Sequence, residues 1–347
     1  MRKLMICYSA FFIILAGKSA SGSGGYTLTD TSVTSCVQKA SRQLDEAFLL
    51  MEQHYYKKET VQWDTLKTAA KARLAAAGSC EGANETVDWC FRQISEKHSF
   101  IMPADKAAVY NLDTANRERK PSLFRLVGEI KGEVFANKGI AYLTLPWIGT
   151  ADPAICTLIA DSIQQLIARL DQPKISKWIV DLRKNTGGNC WPMLAGIGPL
   201  LGNGICGYFV SDTEKIPISY NNGAALQGRS IRCKITGNAY QTRIENKWII
   251  VLTGPLTSSA GEIVALSFKG KKQTWLYGEA TAGLTTANAT YTLSDRSVLV
   301  LTVCQEADRY GRVQEGKIIP DKVVSSEAIF DFEDPVKQEA MMLLHIL

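Results

Sequence analysis

The sequence predicts a mixed α/β (α+β) protein, an N-terminal helical bundle followed by a mixed β-sheet core with helical crossovers. Three observations carry that expectation. Before residue 100, apolar residues recur at helical spacing. After Pro121 the pattern changes to short β-branched runs bounded by Gly or Pro. Between those runs lie apolar stretches of helical length, the alternation expected of a sheet with crossovers.

Taken in order, Arg2 and Lys3 precede the apolar run LMICYSAFFIILAG and the small, polar KSASGSGG. A basic start, a run too short to span a bilayer comfortably and small residues behind it predict a signal peptide over residues 1–20. An uncleaved membrane anchor is the alternative. The absence of a Cys after Leu15-Ala16-Gly17 argues against a lipoprotein anchor. Residues 22–30 read as a flexible lead-in. Val37, Ala40, Leu44, Ala47, Phe48 and Met51 line one helix, and Trp63, Leu66, Ala69, Ala70 and Leu74 line a second. Residues 84–97 form a third, with Asn84 or Thr86 as its cap. These helices define a domain over residues 31–100.

A core domain over residues 121–347 follows. LFRLVGEI, GIAYLTLP, SKWIVDL and KWIIVLTG read as strands; residues 153–170, 191–201 and 260–268 read as helices; ATYTLSD and SVLVLTV read as a hairpin. Only 22 residues separate Phe100 from Leu123, too few for an inserted domain of roughly 50 residues.

The formal charge of +5 falls to +2 once Arg2, Lys3 and Lys18 leave with the signal, and the remaining basic residues are scattered. Nucleic acid is therefore excluded as the main partner. Eight cysteines lie outside the signal: Cys36, Cys80, Cys90, Cys156, Cys190, Cys206, Cys233 and Cys304. An even number in an exported chain permits disulfides, Cys80–Cys90 and Cys190–Cys206 being the nearest pairs in sequence; buried thiols are the alternative. Without Cys-x-x-Cys, His-x-x-x-His or His-Glu-x-x-His there is no support for a metal, and no cofactor is expected. Asn84-Glu85-Thr86 and Asn288-Ala289-Thr290 are glycosylation sequons in a eukaryotic host only.

Three stretches offer chemistry. In TGPLTSSAGEIVALSF, the hydroxyls of Thr257, Ser258 and Ser259 lie between a strand and a helix. A hydroxyl there fits a helix cap. It also fits a nucleophile whose neighbouring amides stabilise an oxyanion. No Gly-x-Ser-x-Gly elbow exists to suggest an α/β-hydrolase. DLRKNTGGN, Asp181 to Asn189, joins a strand to a helix through two glycines. That loop fits a tight turn or an amide donor to an oxyanion, and it lacks the Gly-Lys-Ser/Thr of a phosphate loop. Among three histidines, His98 in EKHSF sits at an element boundary, where a side chain can face a cleft; His54 lies inside a helix and His345 near the chain end.

DLRKNTGG, GPLTSSAGEIVA, YGEATAG and EGKIIPD, in that order, resemble the C-terminal processing (tail-specific) serine peptidases. The likeness spans roughly residues 139–325. It implies that Ser259 is the nucleophile, the first residue of a Ser-Ala-Ser-Glu consensus that here reads Ser259-Ala260-Gly261-Glu262. It also implies oxyanion donors at Ala260 and at the Gly187–Gly188 turn. Many relatives carry a lysine base in Gly-Glu-x-Thr-x-Gly-Lys, where this chain has Leu284 after Gly283. Leucine accepts no proton, and Lys269, Lys271 and Lys272 are expected at the solvated surface. The chain is similar instead to the histidine-using branches, tricorn-like and nisin-resistance-type, which implies His98 as the base. Glu315, before Gly316 and Pro320-Asp321, resembles the acid that orients that base in tricorn-like members. The PDZ domain of many members is absent.

The reading that results is an exported serine peptidase, secreted or periplasmic, acting on flexible peptide or protein tails, a lantibiotic-like peptide being a narrower case. The alternatives are an inactive ligand- or peptide-binding module on the same fold and a small-molecule esterase or amidase using the same residues.

Overall fold

The computed structural model describes residues 31–77, 82–107, 127–243, 247–324 and 335–346. The expected signal peptide lies outside them, as do Cys80 and the first half of LFRLVGEI. In chain order the helices and strands begin with α1 (Thr31–His54), α2 (Trp63–Ala77), α3 (Gly82–Gln93), β1 (Phe100–Met102), β2 (Lys131–Phe135) and β3 (Ile140–Thr144). Next come α4 (Pro153–Leu170), β4 (Lys177–Asp181), α5 (Cys190–Leu201), β5 (Gly204–Val210), β6 (Lys215–Asn221), β7 (Ala224–Gln227) and β8 (Ser230–Lys234). The chain continues through β9 (Trp248–Thr253), α6 (Ala260–Phe268), β10 (Thr274–Gly278), β11 (Thr286–Thr292), β12 (Val298–Ala307), β13 (Lys322–Val323) and α7 (Pro335–Ile346).

Compactness divides the chain into two units, residues 1–117 with 288–303, and residues 118–287 with 304–347. The hairpin expected at residues 289–303 groups with the helical region. In the first unit the stripe Leu44, Ala47, Phe48 and Met51 of α1 is buried together with Leu66, Ala70 and Leu74 of α2 and Val87 and Phe91 of α3. The rings of Phe48 and Trp63 meet at right angles, their centroids 6.5 Å apart. β1 pairs antiparallel with residues 298–300. α3 begins at Gly82, so neither Asn84 nor Thr86 caps it; Asn84 accepts a hydrogen bond from Gln43 (2.6 Å) and Thr86 is buried. Asn288 is 3% exposed, which closes its sequon in the folded chain.

The second unit is built on a six-stranded sheet in the order β13-β10-β9-β4-β3-β2, parallel throughout except for β2. β4 and β9 are almost wholly buried, as near-continuous apolar runs in a parallel sheet require. α4 and α6 are crossovers of β-α-β units. Asp152 caps α4, accepting from the amides of Ala154 and Ile155, with Pro153 in the first turn. A second, antiparallel array of β5 to β8 pairs through β5 with residues 305–307 of β12. α5 packs so closely against this array that a Cβ on Gly198 would fall 1.9 Å from the Tyr220 ring. Val127 of LFRLVGEI forms only an isolated bridge, to Ile148.

Cys90, Cys156, Cys190, Cys206, Cys233 and Cys304 are buried thiols outside any disulfide, so Cys190 is not joined to Cys206. Burial pushes the Cys90, Cys156 and Cys233 thiols up to about 12, leaving them protonated and unreactive. Among the described residues no helix is long and apolar enough to cross a membrane.

Candidate active site

The turn between β9 and α6 sorts the three hydroxyls. Thr257 is fully buried; its hydroxyl donates to the Leu182 carbonyl (2.9 Å) and accepts from the Gly254 amide (3.0 Å). The Ser258 hydroxyl donates to the Thr186 carbonyl (3.0 Å). Both are structural. Ser259 stands at the N-cap position of α6 and forms a capping box with Glu262, whose amide bonds the Ser259 carbonyl at 2.7 Å; among the described residues its hydroxyl, unlike those of its two neighbours, donates to no carbonyl. Its backbone sits at φ 51°, ψ −119°, a region that a residue with a Cβ occupies only under strain.

Glu262 holds that turn. Its carboxylate is fully buried and accepts from the amides of Ser259 (2.9 Å), Gly283 (2.9 Å) and Leu284 (2.8 Å) and from the Thr281 hydroxyl. Burial raises its pKa and these four donors oppose the rise. The Gly283–Thr285 loop is therefore fastened to the Ser259 turn, with Leu284 on it. Lys269 donates to Gln314 (3.1 Å), and Lys271 is half-buried, its pKa lowered by desolvation and then by Arg309. Neither is the solvated surface lysine expected. Both follow α6, whose nine residues rise about 13 Å, so they flank the helix end opposite Ser259.

The glycine loop comes close to the serine. A Cβ on Gly187 would meet Ser258 O at 2.9 Å, Ser259 Cβ at 3.0 Å and Ala260 N at 3.4 Å. Gly187 and Gly188 have φ of 102° and 98°, which glycine adopts readily. Asn185 builds the loop. Its side-chain oxygen accepts from the Gly187 amide (3.0 Å), its side-chain nitrogen donates to the carbonyls of Leu145 and Pro146 (3.1 Å each), and its carbonyl accepts from the Ser258 amide (3.0 Å). The Gly187 amide is thereby spent. Among the described residues, the amides of Gly188 and Ala260 have no such acceptor. Beside the loop, Arg183 forms a two-point ion pair with Asp181, and the Tyr142 hydroxyl donates to the same carboxylate. The sequence pointed to neither Asn185 nor Glu262 as a loop anchor.

Gln314 and Gly316 carbonyls accept from the Thr285 hydroxyl, which places their segment beside the Gly283–Thr285 loop. Glu315, between them, is exposed. His98 belongs to the other compact unit and is half-buried there. Desolvation pushes its pKa down to about 4, against the opposing charge of Glu96. His98 is thus a neutral imidazole at any ordinary pH. No group of residues suited to a metal ion exists among the described residues.

Residues 139–324 match the family model of peptidase family S41. The nisin-resistance protein of Lactococcus lactis subsp. lactis is 37% identical over 232 residues, 66% of this chain and 70% of that one. A lipoprotein from Streptococcus agalactiae superposes with a TM-score of 0.66 at 24% identity, over 93% of this chain and 99% of that one. The photosystem II D1 C-terminal processing protease does so with a TM-score of 0.55 at 14% identity, over 86% and 96%. These superpositions share the mixed α/β fold with its two sheets. The matched region contains the glycine loop, the serine turn and the Glu262-anchored loop, and on that basis the chain belongs to peptidase family S41, a family of serine-type peptidases.

Proposed function

We propose that the protein is an exported serine peptidase that cleaves flexible peptide or protein tails through Ser259 and His98. One observation carries the nucleophile: of three adjacent hydroxyls, those of Thr257 and Ser258 donate to backbone carbonyls, while that of Ser259, which starts α6 on a strained turn against Gly187, donates to none among the described residues. His98 takes the Ser259 proton as Oγ bonds to the substrate carbonyl carbon. The tetrahedral oxyanion rests on the amides of Ala260 and Gly188. His98 then delivers the proton to the amine nitrogen as the C–N bond breaks, leaving an acyl-ester on Ser259. Water, deprotonated by His98, attacks the ester, and the proton returns to Ser259. Glu315 is the candidate for orienting the imidazole. The basic, apolar and small-residue order of residues 1–20 supports export. Likeness to a nisin-resistance protein makes a lantibiotic-like peptide the first substrate to try.

The test incubates residues 21–347 with a pool of unstructured peptides. Ser259→Ala and His98→Ala are expected to lower cleavage by about 10⁴-fold or more. Cleavage surviving in Ser259→Ala would remove it as nucleophile. A folded wild type that cleaves nothing, yet retains a peptide from the pool, would favour the binding module that Leu284 suggests; hydrolysis of small esters alone would favour the esterase.

A further inference from the structure

His98 is gripped by its main chain on both sides, and all the groups involved lie in one compact unit. Glu96 is buried, and its Oε1 accepts from the His98 amide (2.7 Å) and the Ser99 amide (3.1 Å). Its Oε2 accepts from the Tyr55 hydroxyl (3.0 Å). On the other side the Asn288 side-chain amide, 3% exposed, donates to the His98 carbonyl (3.0 Å). Thr302 ties the halves together. Its hydroxyl lies 3.1 Å from Glu96 Oε1 and 2.9 Å from Asn288 Oδ1, and its amide donates to the Ser99 hydroxyl (2.9 Å).

We propose that Glu96 and Asn288 are positioning residues that set the imidazole of His98 by clamping its backbone, an inference that rests on His98 being the base. A carboxylate costs several kcal/mol to bury unless its oxygens are well bonded. Ending α3 needs no charge; a glycine or a turn suffices. Glu96 directs its charge at the two amides that bracket the His98 side chain. Fixing φ and ψ on both sides of one residue confines where its ring can point, and displacement of about 1 Å in a catalytic group costs about 10²-fold in rate. This role differs from that of Glu315, which would act on the imidazole itself. The charge of Glu96 also favours the imidazolium that forms during acylation, opposing the burial of His98.

The experiment follows fluorophosphonate labelling of residues 21–347 in Glu96→Gln, Asn288→Asp and His98→Ala, separating the saturating rate from the half-saturating concentration. Long-range ¹H–¹⁵N spectra of the three histidines and thermal unfolding accompany it. Glu96→Gln and Asn288→Asp are expected to lower the saturating rate about 10- to 100-fold. Half-saturation should stay within about twofold, and the His98 ring signals should shift. If Glu96→Gln does not fold, Asn288→Asp carries the same test. Folded variants that label at the wild-type rate with unchanged His98 signals, while His98→Ala is inactive, would overturn the positioning role. Full labelling of His98→Ala would instead overturn His98 as the base.

Discussion

At position 261 the chain has glycine where the Ser-Ala-Ser-Glu pattern has serine, and space explains it. A Cβ there would fall 2.7 Å from the Asn185 carbonyl, the same carbonyl that holds the Ser258 amide. Gly261→Ala is expected to cost about 1–3 kcal/mol by overpacking, seen in thermal unfolding, and to slow serine labelling by moving the turn. His98 makes a pH prediction. Because desolvation pushes its pKa down to about 4, the proposed base is already neutral above that pH. The acid limb of kcat/KM should therefore fall near pH 4, with no inflection at the ordinary histidine value of about 6.5; a limb near 6.5 would mean that another histidine or a solvated His98 is at work. The proposal of Ser259 rests on its place in a motif as well as on the turn that carries it. The loss of the Gly187 amide to Asn185, and the use of Thr257 and Ser258 as struts, were not legible in the sequence. Those depend on where carbonyls from distant segments point, and no spacing in the sequence encodes that.

Among elements, the strongly periodic ones were legible. Helices expected at 153–170, 191–201 and 260–268 occur as α4, α5 and α6, and the buried strands before the two motifs occur as β4 and β9. The array β5 to β8 was not anticipated, because its strands are short, half-exposed and cut by Gly and Asn turns, so neither period stands out. α5 shows what such packing demands. With a Cβ at 198 placed 1.9–2.4 Å from Tyr220 ring atoms, Gly198→Ala should destabilise by about 3 kcal/mol. Gly202→Ala is a control for steric crowding, since nothing lies within 4 Å of a Cβ there; its own cost should come only from its φ of 76°. Comparison of the two by chemical denaturation checks the helix–sheet contact.

For the whole molecule, a buried acid outside the catalytic proposal sets a pH dependence of stability. Glu306 is 1% exposed, neither of its oxygens has a hydrogen-bond partner among the described residues, and burial together with the Glu262 charge raises its pKa well above the ordinary range. The folded state therefore holds this proton more tightly than the unfolded chain. Its contribution is complete below the ordinary carboxyl value and declines as pH rises toward the raised one. Glu306→Gln should flatten the fall in Tm as pH rises above the ordinary carboxyl value, and an unchanged slope would show that Glu306 finds a partner. Residues 288–303 group with the N-terminal helices because β1 pairs with residues 298–300, far away in the chain. The central claim is that one of three neighbouring hydroxyls is chemically distinct. Fluorophosphonate adduct mapping on residues 21–347, by peptide mass spectrometry, tests it most directly: the adduct is expected on Ser259 alone and absent from His98→Ala, whereas an adduct on Ser258 or Thr257, or undiminished Ser259 labelling without His98, would contradict it.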